Sequence, residues 1–232
     1  MVTFRSTFDV VLINETGSDE MICKAARVST LGAESLGTDV SAGLIRFLMN
    51  NRHGSPFEHG LLTFRIGAPI VVWREFMRHR VGFSYNEQSG RYMELEGVFY
   101  IPPPLRPLKQ IGKPGHYEFV PGDDAMQLEV EGNTRVAYAA AWDAYQNMLK
   151  AGVAKEVARL VLPVATYSTA YVTCNPRSLM SFLSLRTKEE GSKFPSYPQW
   201  EIEQVARAME KDFARSFPLT YRAFCEAGRV SP

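Results

Sequence analysis

The residues best suited to chemistry lie between Arg78 and Tyr92. The run reads RHRVGFSYNEQSGRY and crowds guanidinium, imidazole, hydroxyl, amide and carboxylate groups together, with Val81 and Phe83 as its only purely apolar members. Guanidinium groups present a fixed fork of donors that matches phosphate and carboxylate oxygens. The Arg78, His79, Arg80 triplet also concentrates positive charge that a buried core would not tolerate. The segment therefore reads as a site for anionic ligands. At its far end, the small residues Ser89 and Gly90 let a ligand approach the backbone, and their N–H groups with Arg91 can cradle an oxyanion. The competing reading of that end is a surface turn with a solvated arginine. Spacing alone leaves Glu87 equally open to two roles. It could be a salt-bridge partner that holds the loop, or an acceptor for sugar hydroxyls that orders the arginines around a phosphate.

Other polar residues are less specific. Arg159 in KEVARLVLP and Arg186 at the end of SLMSFLSL each sit on an otherwise apolar helical run. An arginine there complements the negative helix C-terminus or snorkels to water. In a pocket, Arg186 could instead stabilise an anion developing on a bound ring; by residue type alone the helix-end reading is favoured for both. The run His53 to His59 (HGSPFEH) holds two imidazoles and a carboxylate, but their spacing around a proline is not a helical ligand spacing and no third ligand is evident. A ligand-binding loop or a capped helix start fits it better, and no metal is expected. Cys23, Cys174 and Cys225 are odd in number and widely spaced, so they read as reduced thiols packed as small hydrophobes rather than as a disulfide framework.

The elements that must hold these groups alternate between helix and strand. Phe8 to Ile13 reads as a strand and Ser18 to Val28 as a helix capped by Ser18. Val40 to Met49 predicts a helix with Val40, Leu44, Phe47 and Leu48 on its apolar face. Leu62, Phe64 and Ile66 alternate with polar neighbours as a half-buried strand does. Pro69 then opens a short helix that carries Val72, Phe76 and Met77 inward and delivers Arg78 to its end. Val98 to Ile101 predicts a brief strand, and the Pro- and Gly-rich stretch up to Pro121 a surface loop. A long helix over Asp123 to Leu149, with a break near Gly132, precedes Gly152 as a C-cap. Lys155 to Leu162 continues as helix to Pro163. Thr166 to Thr173 predicts a strand, and Asn175-Pro176 starts a helix through Arg186 with Leu179, Phe182 and Leu183 inward. A polar loop and two C-terminal helices close the chain.

With 232 residues, 45% hydrophobic and 22% charged, the chain fits one globular domain with a sizeable core, or at most two small ones, and the element pattern reads as a single α+β domain over 1–232. A net charge of +1 argues against broad binding of nucleic acid. No apolar run is long enough to span a bilayer, and the N-terminus lacks a signal peptide's apolar region, so a cytoplasmic location without membrane attachment is expected.

RHR followed by NEQSGRY, preceded by HGSPFEH and followed by EVARLVLP and NPRSLMSFLSLR, resembles the flavin-dependent thymidylate synthase family over nearly the whole chain. The resemblance implies a homotetrameric α+β enzyme with a mostly antiparallel central sheet flanked by helices and active sites built from more than one subunit. It implies methylation of dUMP to dTMP, with methylenetetrahydrofolate as one-carbon donor and NADPH reducing a bound FAD that supplies the hydride. By position, Arg78, His79 and Arg80 match the FAD-binding triplet, with Arg78 also reaching the nucleotide. Ser55, Glu87, Asn175, Arg177 and Ser181 match further FAD contacts. Glu75, Glu87, Gln88, Ser89, Gly90, Arg91 and Arg159 match the dUMP site. Arg186 matches the arginine that favours ionisation of uracil N3, and His53 a histidine near the folate and flavin.

The physics of those ligands agrees. A nucleotide phosphate rewards convergent arginines with charge-assisted contacts of about 1.5–3 kcal/mol each. A guanidinium against the ring favours the N3 anion and so raises nucleophilicity at C5. The sequence departs from the family pattern in four places. Eight residues rather than seven separate the triplet from Ser89, which predicts a bulge after Arg80. Glu75 replaces a common glutamine and must be protonated, paired with Arg78 or turned away. Ser181 replaces an asparagine, and Thr187 to Pro198 is a longer loop, read as a lid or a subunit contact. Two other classes stay open: an FAD/NADPH oxidoreductase without methyl transfer, and a non-catalytic nucleotide-binding protein.

Overall fold

Ser18, Ser41, Asp123 and Asn175 each sit in extended backbone, and each side chain accepts a hydrogen bond from an amide of the following turn, from Met21, Leu44, Met126 and Ser178 respectively. Each therefore satisfies an otherwise orphaned helix donor and starts a helix. The computed structural model describes residues 1–113 and 116–232. Its strands are β1 (Thr3–Arg5), β2 (Asp9–Thr16), β3 (Leu61–Pro69), β4 (Phe83–Glu87), β5 (Val98–Tyr100), β6 (Lys109–Lys113), β7 (His116–Val120) and β8 (Tyr167–Cys174). Its α-helices are α1 (Asp19–Leu31), α2 (Ala42–Asn50), α3 (Ile70–Phe76), α4 (Asp124–Lys150), α5 (Lys155–Ala158), α6 (Pro176–Arg186), α7 (Trp200–Ser216) and α8 (Pro218–Glu226). The class is α+β, as expected.

Backbone contacts divide the chain into two compact units, neither continuous in sequence. One comprises Met1–Thr7, Ala68–Trp73 and Gln88–Ser168; the other comprises Phe8–Gly67, Arg74–Glu87 and Thr169–Pro232.

The second unit is built on a four-stranded sheet of order β2-β3-β8-β4. β2 and β3 pair antiparallel from Asp9 opposite Gly67 to Thr16 opposite Leu61, with a register shift between Leu12 and Asn14. β4 and β8 pair antiparallel from Phe83 opposite Cys174 to Glu87 opposite Ala170. Leu62, Phe64 and Ile66 are fully buried, as their alternation predicts. On α7, Ile202, Val205, Ala206, Met209 and Phe213 form the buried stripe of an amphipathic helix. On α6, Leu179, Phe182 and Leu183 are buried as expected. The α2 face is a correction. Ile45, Leu48 and Met49 are buried, so Leu48 faces inward as expected, while Val40 lies before the helix start at Ala42 and Phe47 falls outside the inward stripe, and both are exposed. The Asp19 carboxylate, buried in the first turn of α1, accepts from the Leu219 and Thr220 amides and the Thr220 hydroxyl at 2.6–3.0 Å. It thereby caps α8 from two hundred residues away.

The loop after α6 is held within this unit rather than hanging free. The Lys188 amide donates to Glu203 at 2.9 Å, the Lys193 amide to the Gly228 carbonyl at 3.0 Å, and Arg207 pairs with Glu189 at 2.6 Å. Buried Arg229 donates to the Thr187 hydroxyl at 2.8 Å and pairs with Glu210 at 2.7 Å.

The first unit has its own core of Phe99, Trp142, Tyr145 and Ala158, with Val2, Phe4, Leu95 and Tyr138 packed against it. β1 and β5 pair parallel, Thr3 opposite Val98 to Arg5 opposite Tyr100. Where a surface loop was expected, β6 and β7 form an antiparallel hairpin from Lys109 opposite Val120 to Lys113 opposite His116. The Pro and Gly content masks the short strands; Pro114 and Gly115, which join them, lie outside the described residues. α4 runs unbroken through Gly132, where a break was expected, and ends before Gly152, whose φ of 82° suits glycine. After α5 the chain tightens into a 3-10 turn, Arg159–Val161, instead of continuing as α-helix.

Candidate functional site

In the second unit, α6 is the wall against which the polar groups collect. Its last residue, Arg186, donates from Nε to His79 Nε2 at 3.0 Å, pairs through Nη1 with the Glu75 carboxylate at 2.9 Å, and holds Nη2 3.5 Å from the Glu75 carbonyl. Glu75 thus pairs with Arg186 and not with Arg78, a correction to the three options its charge allowed. The Arg186 side chain is only 18% exposed, so this ion pair is shielded from solvent on the guanidinium side.

His79 is fixed from several directions. Its carbonyl accepts from the Tyr85 hydroxyl at 2.7 Å, and the same hydroxyl reaches the Phe76 carbonyl at 3.1 Å. Burial, with a smaller contribution from Cys174, pushes the Tyr85 phenol well above its usual range and keeps it a donor. The Phe182 ring meets the imidazole edge-on at 4.9 Å, and Phe83 lies 6.1 Å away. Burial first, and then the Arg186 charge, lower the His79 pKa to about 4. The ring is therefore neutral at pH 7, and Nε2 is free to accept the Arg186 proton.

The first turn of α6 carries the other expected contacts. The Asn175 side-chain Oδ1 accepts from the Ser178 amide at 2.8 Å as the helix cap. Arg177 pairs with Glu58 at 2.6 Å and donates to the Pro232 carbonyl at 2.8 Å. Ser55 opens the 3-10 turn Ser55–Glu58 and is exposed. Ser181 is exposed, and its carbonyl accepts from Ser184 at 2.8 Å. His53 is exposed, with its ring edge-on to Phe47 at 5.8 Å. Glu87 is half-buried at the end of β4. Arg78 and Arg80 are exposed and enter no ion pair among the described residues. The bulge expected after Arg80 is a turn with Val81 at its tip, 88% exposed, and Gly82 at φ 67°. A Cβ on Gly82 would collide with the Ser178 hydroxyl and the Asn175 amide, so the turn fits against α6 only with glycine there.

In the first unit, Ser89, Gly90 and Arg91 form a tight turn. The Ser89 carbonyl accepts from the Tyr92 and Met93 amides, and its hydroxyl from the Arg91 amide at 3.3 Å. A Cβ on buried Gly90 would meet Leu95 and come within 3.2 Å of Arg159 Cδ, so the absence of a side chain lets Arg159 lie against the turn. Arg91 pairs with Glu156 at 2.9 Å. The arginines of KEVAR and SGRY are thus neighbours. Gln88 precedes the turn and is half-buried.

Two supporting residues, Tyr85 and Glu156, were not legible in the sequence, and the carboxylate of HGSPFEH, Glu58, serves as the ion-pair partner of Arg177. Glu156 lies one helical turn before Arg159, a spacing that puts both on one side of the helix, and Tyr85 falls in the alternation of Phe83, Tyr85 and Glu87 along β4. Cys23 and Cys174 are buried, but Cys225 is exposed, which corrects the uniform packing expected for the thiols. Among the described residues, no group of three or more His, Cys, Asp or Glu side chains could hold a metal ion, and no helix is long and apolar enough to cross a membrane.

The chain is 55% identical to a flavin-dependent thymidylate synthase of Streptomyces avermitilis, over 99% of this chain and 96% of that protein. The profile of the family described as thymidylate synthase complementing protein matches residues 11–219. The chain belongs to the flavin-dependent thymidylate synthase family. A flavin-dependent thymidylate synthase of Tropheryma whipplei is 50% identical over 99% of this chain and 97% of its own length. Among solved structures, the UMP/dUMP methylase PolB from Streptomyces cacaoi bound with 5-Br UMP superposes with a TM-score of 0.93 at 48% identity, covering 100% of this chain and 99% of that one. The same methylase bound with 5-Br dUMP gives 0.94 at 47% identity with full coverage of both chains.

Proposed function

We propose that the chain methylates dUMP to dTMP as a flavin-dependent thymidylate synthase, a methyltransferase with FAD as cofactor, methylenetetrahydrofolate as one-carbon donor and NADPH as reductant. The observation that carries this reading is the retained donor set in a chain of that family: Arg186 held against Glu75 and His79, and Arg91 and Arg159 around the Gly90 turn. Residues 11–219 match the family, which supports residues 1–232 acting as one synthase domain. A cytoplasmic location belongs to the same reading.

The residues fit a flavin dinucleotide. Arg78 and Arg80 are exposed with no ion pair among the described residues, which is what a pyrophosphate requires of guanidiniums. His79, Ser55, Glu87, Asn175, Arg177 and Ser181 complete the proposed contacts, with His53 near the cofactor and folate. When bound and reduced, FAD supplies the hydride. The chain's own residues bind and orient the nucleotide. Arg91, Arg159 and the Gln88–Gly90 backbone hold the phosphate and sugar, and Arg78 and Glu87 are assigned to the same nucleotide. Arg186 lies along the pyrimidine and stabilises the N3 anion; each unit by which it lowers the N3 pKa is worth about 1.4 kcal/mol. At C5, the hydrogen leaves as a proton and a methyl group built from the donated methylene and the hydride takes its place. In a homotetramer with active sites drawn from more than one subunit, these contributions need not come from one chain.

A dTMP assay with each ligand omitted in turn tests the reading. Product should form only when dUMP, methylenetetrahydrofolate and NADPH are all present with the flavoprotein. NADPH oxidation without dTMP would leave an oxidoreductase, and the absence of both would leave a silent nucleotide binder. A second reading, that UMP is also methylated, is favoured by the naming of the solved neighbours as UMP/dUMP methylases. A UMP arm in the same assay decides between them.

A further inference from the structure

Arg186 is the group on which the proposed chemistry turns, and a guanidinium on a long flexible stem acts as a directed donor only if something holds it. Three of its five N–H donors are accounted for. One goes to His79 Nε2 at 3.0 Å, one to the Glu75 carboxylate at 2.9 Å, and one faces the Glu75 carbonyl at 3.5 Å. Two remain for a ligand. Glu75 is 46% exposed on its side chain, so its hold on Arg186 is partly screened by solvent. His79 is more enclosed: its carbonyl is tied to Tyr85 and its ring packs against Phe182 and Phe83.

We propose that His79 is the positioning residue of the reaction: its imidazole, carrying its proton on Nδ1, accepts from Arg186 Nε through Nε2 and aims the two remaining guanidinium donors at the pyrimidine. Two observations stand beside this geometry. A cationic imidazole could not accept the bond, and burial together with Arg186 holds the ring neutral, with its pKa at about 4. Because Nε2 is committed to Arg186, any hydrogen bond from His79 to the cofactor runs through Nδ1–H. The middle residue of the Arg78, His79, Arg80 triplet thus acts on the nucleotide chemistry through Arg186, in addition to any cofactor contact. This inference rests on the reading of Arg186 as the group that faces the pyrimidine ring.

The test uses the flavin-loaded protein with His79→Ala and His79→Gln. The glutamine amide oxygen can accept from Arg186 Nε, whereas alanine cannot. His79→Ala should lower kcat for dTMP formation by about 100-fold, with KM for dUMP changed by less than about threefold because the phosphate contacts are untouched. His79→Gln should recover most of the lost kcat. If glutamine is no better than alanine, or if the loss is all in KM, the proposal fails. A second measurement does not depend on turnover or on the variants folding: nitrogen-15 NMR of histidine-labelled wild-type protein at pH 7. It should show His79 neutral with its proton on Nδ1; a cationic ring, or a proton on Nε2, overturns the bond. If the wild type makes no dTMP while the tautomer is as stated, the assigned reaction has failed and the positioning contact has not.

Discussion

Arg91 and Glu156 form an ion pair in which each side chain is more than half exposed, 55% and 52%. Such pairs are worth about 0–1 kcal/mol, so a phosphate dianion that offers charge-assisted contacts outcompetes the carboxylate. Arg91→Ala should therefore weaken dUMP binding by about 10–100-fold and leave FAD affinity unchanged in parallel titrations. Equal losses for the two ligands would contradict the assignment of Arg91 to the nucleotide. Residue type alone points to anion binding in this segment, because three arginines beside small residues have few structural uses. The Glu75 to Arg186 to His79 contact was not legible in the sequence, because its partners lie more than a hundred residues apart and only the fold brings them together.

At the scale of elements, capping and periodicity read directly from the sequence wherever the signal is local. Ser18, Asn175 and the alternation of Leu62, Phe64 and Ile66 all behave as their types require. The misses have physical reasons. β4 lies inside a charged run whose alternation is short, and the β6–β7 hairpin is interrupted by residues that signal loop. In α2 the apolar residues Leu44, Ile45, Phe47, Leu48 and Met49 cover more than one face, and periodicity alone does not say which of them faces the core. After Arg80 the chain makes a turn with exposed Val81 at its tip, and Gly82 supplies the positive φ that closes it. Gly82→Ala should cost about 2 kcal/mol, since it combines backbone strain with a clash against Ser178 and Asn175. Val81→Ala should stay within about 0.5 kcal/mol. Thermal unfolding of the two variants checks this, and equal stabilities would remove Gly82 from the account of how the triplet meets α6.

For the whole molecule, the homotetramer belongs to the proposed function. Leu128 and Val136 on α4 are 71% and 73% exposed, Leu105 is 87% exposed and Leu160 76%. Light scattering at micromolar concentration should report four chains; a monomer would contradict both the assembly and the sharing of active sites between subunits. Methylation at C5 is tested most directly by the ligand-omission assay run with dUMP carrying tritium at C5. Methylation at C5 must expel that hydrogen, so the account predicts tritium release into water in step with dTMP formation, only when methylenetetrahydrofolate and NADPH are both present. NADPH oxidation by the flavoprotein with the tritium retained on dUMP would contradict it.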